Sequence, residues 1–231
     1  MTREWRIWLL TTLCLSIYVA AGFVEGHIVE TTVRLENGYV ASINIVRLAD
    51  DPLLMSLVFR QSNRVLPELG FPDVAKPWPD SGEKRYPHPG SAIRLRVTTG
   101  SESVSYEAEP TSAIGAESRT LTNNPSIAPG VWRWPPPLGL PEIVLRPGVT
   151  RLTVEVALVD EPLAGQSARL LIYPPLLFKR PKRDIGWVGL LAYGVYFWPV
   201  IAIFQAVWAI VLLVPVTKLP STTLPHPPPR A

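Results

Sequence analysis

The chain has 231 residues, a formal net charge of +3 and hydrophobic side chains at 47% of its positions, which is length enough for one domain with a real core plus membrane segments. The positive charge comes from the ends: residues 25–178 hold 17 Asp or Glu against 14 Lys or Arg, so the middle lacks the basic excess that nucleic-acid binding requires. The one cysteine, Cys14, lies outside that middle, so no disulfide staples it and burial must stabilise it.

Residues 1–24 open with Arg3 and Arg6, offset by Glu4, and continue as an uncharged apolar run over 7–24 that exits through Val19-Ala20-Ala21-Gly22. A basic start, an apolar stretch and small residues at the exit describe a secretory signal peptide, with Ala21 or Gly22 the expected last residue removed. Left uncut, 18 apolar residues are just long enough to stay as an anchor. Cys14 has no small residue before it of the kind a lipid-attachment signal shows, and it reads as an apolar bystander.

Residues 25–178 alternate apolar and polar side chains with a period of two, the pattern of half-buried strands. In chain order, strands are expected at 28–35, at 39–47 after the Asn37-Gly38 hairpin signal, and at 53–60. Ile93, Leu95 and Val97 alternate with Arg94, Arg96 and Thr98. After the Thr99-Gly100-Ser101 turn, Val104, Tyr106 and Ala108 share a face. Further strands are expected at 142–145, at 151–159 with Leu152, Val154, Val156 and Leu158 inward, and at 167–173. Eight short strands with turns between them favour an all-β, two-layer β-sandwich, immunoglobulin-like or jelly-roll-like. The Cys and Trp hallmarks of immunoglobulin domains are missing, so that likeness is architectural.

Two insertions, 62–90 and 110–140, interrupt the strand rhythm and are rich in proline. Loops this long in a compact domain are commonly functional, and proline lowers the entropy lost when a partner binds. They carry Trp78, Tyr86, Trp132, Arg133 and Trp134. Large aromatics on such loops suit stacking on sugar rings or anchoring a protein interface, with packing of Trp132 or Trp134 under its own loop the equal alternative, and Arg133 between two tryptophans offers a cation-π contact.

Catalytic chemistry has less to work with. His27 and His88 are the only histidines of the middle, no Gly-x-Ser-x-Gly occurs, and no spacing suits a metal, so no catalytic residue, metal or cofactor is assigned. Asp50, Asp51, Asp73, Asp80 and Glu83 read as acidic turn residues.

Residues 179–184 gather Lys179, Arg180, Lys182 and Arg183 as a basic collar, suited to anionic headgroups or an acidic partner. Residues 185–216 form a second uncharged apolar run of 32 residues, about 48 Å as a helix against a hydrocarbon core of about 30 Å. Pro199 near its middle predicts a kink or break. Trp187, Tyr193, Tyr196 and Trp198 before it are headgroup-level residues, so an interfacial or tilted segment up to Trp198 is expected, then a span from about Val200 to Val216. Residues 217–231 read as a disordered proline-rich tail.

The signal-like start and the acid-rich flank after it place the middle domain outside the cytoplasm, while the basic collar argues the other way. Arginine outnumbers lysine 17 to 5, and the one Asn-x-Ser site has proline at x (Asn124-Pro125-Ser126). Together with the missing cysteines this points to a bacterial envelope. The sequence therefore predicts an inner-membrane protein, single-pass or two-pass, with a periplasmic β-sandwich that is a non-catalytic accessory subunit of an envelope assembly. Its expected partners are the lipid bilayer and another membrane or envelope protein. A glycan-binding module using the loop tryptophans is the alternative, and an anchored hydrolase stands third.

Overall fold

A computed structural model describes residues 2–59, 67–70, 82–111, 117–175 and 188–214. Wherever apolar and polar residues alternate, the chain is extended. It forms β1 (Val29–Arg34), β2 (Val40–Arg47), β3 (Asp51–Pro52), β4 (Met55–Phe59), β5 (Gly82–Arg85), β6 (Ile93–Thr99), β7 (Glu102–Ala108), β8 (Ser118–Thr122), β9 (Val131–Trp134), β10 (Val144–Leu145), β11 (Gly148–Val159) and β12 (Ser167–Ile172). Helices α1 (Arg3–Gly26) and α2 (Val188–Leu213) stand at the two ends.

Eight strands make one antiparallel sheet in the order β1-β12-β4-β8-β7-β6-β11-β2. Its outermost strands, β1 and β2, are consecutive in the chain, turn through Gly38 at φ 84° and lie against each other, which curls the sheet nearly into a barrel. The hydrogen bonding thus draws one continuous sheet where strand counting alone led to two layers. Ile93, Leu95 and Val97 are fully buried on β6, and Leu152, Val154 and Val156 on β11, as expected. Leu158, also expected inward, is 38% exposed, because a register shift after Val156 turns Val159 into the core instead. Each buried side chain of this kind contributes roughly 1.5–3 kcal/mol by leaving water.

The make-up of the main sheet differs from the sequence reading in two strands. Residues 142–145 contribute β10, which pairs with β3 in a separate two-stranded ribbon. The eighth strand of the main sheet is instead β8, inside what read as a loop. Its inward positions are Leu121 and Arg119, so a charge stands where alternation would look for an apolar residue. Arg119 is 2% exposed. Its Nε donates to the Glu109 carbonyl at 3.0 Å, Nη1 to Ser91 O at 2.5 Å and Nη2 to Ala108 O. The β7–β8 ladder spans only Glu107↔Thr122 and Ala108↔Leu121, and the guanidinium supplies donors where the ladder stops. Burial holds its pKa down at about 10, against the opposing pull of Glu107.

One end of the sheet is tied to the helices. Val29 pairs with Ile172, so the chain arrives from α1 and departs towards α2 at the same end. There the buried Glu25, in the last turn of α1, accepts hydrogen bonds on Oε1 from Leu48 N and from Ala49 N at 3.1 Å. Beside it Arg47 Nε meets Asp51 Oδ2 at 2.9 Å, both side chains 1% exposed. The same guanidinium reaches Val46 O at 3.0 Å and Tyr173 O at 3.4 Å, linking β2, β3 and the exit of β12.

Helices α1 and α2 are each long and apolar enough to cross a membrane. They run antiparallel against each other: Tyr18 OH donates to Leu190 O, and far along both helices Trp8 Nε1 donates to Gln205 O at 3.1 Å. Thr12 Oγ1 also donates to Gln205 Oε1 at 2.9 Å. Glycine permits the close approach, since a Cβ on Gly22 would stand 2.7 Å from Leu191 O and one on Gly194 2.7 Å from the Tyr18 ring.

Of the kink or break expected at Pro199, the break does not occur: α2 is helical from Val188 to Leu213 with Pro199 inside it. Proline removes one backbone bond, and α1 braces the helix on both sides of that position, at Leu190–Gly194 and at Gln205. The described part of the second apolar run is thus one helix of about 39 Å. Tyr193, Tyr196 and Trp198 lie on its exposed surface. Lys179, Arg180, Lys182, Arg183 and Trp187, like the tail, lie outside the described residues.

Candidate functional site

The ribbon formed by β5 and β9 joins the two proline-rich insertions, in the register Gly82↔Trp134, Glu83↔Arg133, Lys84↔Trp132 and Arg85↔Val131. Strand pleating separates its side chains into two faces. Lys84, Tyr86, Trp132 and Trp134 share one face, while Glu83, Arg85 and Arg133 share the other. Gly130, at φ 74°, starts β9 where a Cβ would meet Tyr86 O at 2.6 Å, so only glycine lets the two segments close.

On the first face Tyr86 and Trp132 are buried and meet edge to face, centroids 5.4 Å apart at 87°. Lys84 Nζ lies 2.7 Å from Glu109 Oε2, 5.2 Å from the Tyr86 ring centroid and 5.6 Å from that of Trp134. Tyr86 OH donates to the same carboxylate oxygen at 3.4 Å. Burial, then the Glu109 charge, push the Tyr86 phenol far above its ordinary pKa, so it stays protonated and acts as a donor. Trp132 Nε1 is buried without a hydrogen-bond partner among the described residues. Trp134 is 42% exposed and forms the outer wall of the cluster.

These positions redistribute the roles read from sequence. Tyr86 and Trp132 are buried against each other, and Tyr86 ties the ribbon to Glu109. Trp134 remains as an exposed aromatic. The cation on the aromatic face is Lys84, because alternation turns Arg133 to the opposite side, where its exposed side chain is opposite Glu83. Trp78 lies outside the described residues. Lys84 and Glu109 were not picked out from sequence: their partnership joins residues 25 positions apart, and neither stands in a motif.

The remaining titratable residues are dispersed. Asp51 belongs to the buried pair with Arg47, Glu83 meets Arg85 at 2.5 Å on the surface, and Asp50, His27 and His88 are exposed. Asp73 and Asp80 lie outside the described residues. Among the described residues no three His, Cys, Asp or Glu gather as a metal site would need. With Lys84 paired to Glu109 and the Tyr86 phenol protonated, the ribbon is equipped for stacking and hydrogen bonding through Trp134 and its neighbours.

No family model matches the chain, and no curated protein matches it in sequence. Among solved structures, a protein from Sulfurospirillum deleyianum is similar over 67% of this chain and 99% of its own, at 14% identity and a TM-score of 0.44. A ruminal GH26 endo-β-1,4-mannanase is similar over 71% of this chain and 25% of its own, at 11% identity and a TM-score of 0.25. At these TM-scores neither likeness bears on fold or function.

Proposed function

We propose that this chain is a membrane-anchored accessory subunit: a non-catalytic β-domain held on the extracytoplasmic side by α1 and α2, docking another membrane or envelope protein. One observation carries the reading. Both apolar helices attach at the same end of the sheet, through Val29↔Ile172 and the Glu25 contacts with Leu48 and Ala49, which suits a domain seated on a two-helix membrane hairpin.

In this reading α1 is retained as an anchor. Thr12, Trp8, Tyr18 and Gly22 all serve the contact with α2, and removal up to Ala21 or Gly22 would discard them. Arg3, Arg6, Lys218 and Arg230 would then share the cytoplasmic side.

The docking face is the β5–β9 ribbon with Trp134 outermost. A photoreactive phenylalanine analogue in place of Trp134 tests it: irradiation of intact membranes gives one protein adduct of fixed mass, which the same reporter at position 133, on the opposite face of the ribbon, does not give. Absence of an adduct at 134, or equal adducts from 134 and 133, would reject the face. The half-exposed Trp134 ring beside Lys84 also suits stacking on a sugar, and binding of envelope polysaccharide that W134A abolishes would support that second reading instead.

A further inference from the structure

The outward face of the β2–β11 pair changes character along its length. In register, Val40 stands opposite Glu155, Ser42 opposite Thr153, Asn44 opposite Arg151 and Val46 opposite Val149. Only the last pair is wholly apolar, and both of its side chains are exposed, Val46 by 44% and Val149 by 72%. Leu48, two residues beyond Val46, is 36% exposed. An apolar group of this kind on an otherwise polar face marks a contact surface.

Its position follows from Glu25. That carboxylate, in the last turn of α1, holds the Leu48 and Ala49 amides, so the apolar end of the pair lies where α1 leaves the sheet. Arg146, in the turn before β11, and Arg151, one outward position above Val149, are exposed beside it. Apolar side chains with arginines around them match the boundary between acyl chains and anionic headgroups, where stems bury and guanidinium groups meet phosphate.

We propose that the base of the β2–β11 face, Val46, Leu48 and Val149, rests in the headgroup–acyl boundary of the bilayer, with Arg146 and Arg151 on anionic headgroups. The domain thus leans onto the membrane and has a fixed orientation for a partner. This inference rests on the reading that α1 and α2 cross that bilayer.

The test uses the full chain with Cys14 replaced by Ser, reconstituted in vesicles containing anionic phospholipid. Single cysteines V149C, V40C and V207C carry an environment-sensitive fluorophore, and lipids bearing a nitroxide near the headgroup or deep in the acyl chain act as quenchers. The expected result is that V149C loses most of its emission to the shallow nitroxide, V40C at the far end of the same strands keeps its emission, and V207C on α2 responds to the deep one. If V207C is quenched by neither, the membrane reading itself fails. If V207C is quenched while V149C behaves like V40C, the inference alone is overturned, and disulfide-linked dimers of unlabelled V149C would assign the surface to a second copy. Circular dichroism matching the parent shows each variant folded, as expected for exposed positions.

Discussion

Replacing Asp51 with alanine strikes the junction between sheet and helices. Arg47 and Asp51 are each 1% exposed and 2.9 Å apart, so D51A leaves a guanidinium in a dry site whose remaining hydrogen-bond partners, among the described residues, are the carbonyls of Val46 and Tyr173. Breaking a buried pair from one side costs about 3–5 kcal/mol, because the surviving charge stays desolvated. The double variant Arg47→Met with Asp51→Leu removes both charges and loses less than D51A alone, the shortfall coming from carbonyls left unpaired at about 1–3 kcal/mol each. Urea unfolding in detergent, followed by tryptophan emission, reads this as a fall in midpoint of about 1.5–2.5 M at a slope near 2 kcal/mol/M. A D51A midpoint within about 0.5 M of the parent, or a double variant weaker than D51A, would refute the claim that this pair is a desolvated junction.

Three further outcomes follow from the geometry. Trp132→Ala destabilises the domain by about 3–5 kcal/mol and Trp134→Ala by less than about 1 kcal/mol, since only the first ring is buried; equal losses in chemical unfolding would contradict the division between packing and exposed aromatic. Burial raises Tyr106 to about 12 and raises Tyr86 as well. Their folded values lie above the unfolded value of about 10, so their contribution is complete below about pH 10 and is lost as pH rises towards 12. Tyrosinate absorbance then shows these two phenols ionising together with unfolding, and Y106F flattens the alkaline loss. Gly22→Val drives a side chain into the Leu191 carbonyl, so a disulfide between T12C and Q205C, made in a Cys14→Ser chain, forms readily with Gly22 and poorly with valine.

Most of the sheet was legible because its inward positions are apolar at every second residue, as on β6 and on β11 as far as Val156, where a register shift not visible in the alternation turns Leu158 out. Strand β8 was hidden by one side chain: Arg119 occupies an inward position and is satisfied by three carbonyls from distant residues, a contact no local pattern announces. The proline-rich insertions concealed β5 and β9 because four-residue strands with glycine and tryptophan at their ends carry too short a period. In the site, the aromatics stood out by composition, but which of them stay exposed depends on the pairing of β5 with β9, and alternation alone turned Arg133 away. Likewise the proline in α2 argued for a break, and only its contact with α1, a residue pairing across the whole chain, explains a continuous helix.

Protease treatment of intact spheroplasts, with the amino terminus sequenced in the same preparation, tests the proposal that a retained α1 pairs with α2 to hold the β-domain outside the cytoplasm. The expected result is that residues 27–175 are reached from outside while the undigested chain still carries Arg3 to Gly22 ahead of Phe23. A mature start near Phe23 would contradict the helix pair, and a domain protected until lysis would show that the basic collar at Lys179 to Arg183 had set the opposite topology.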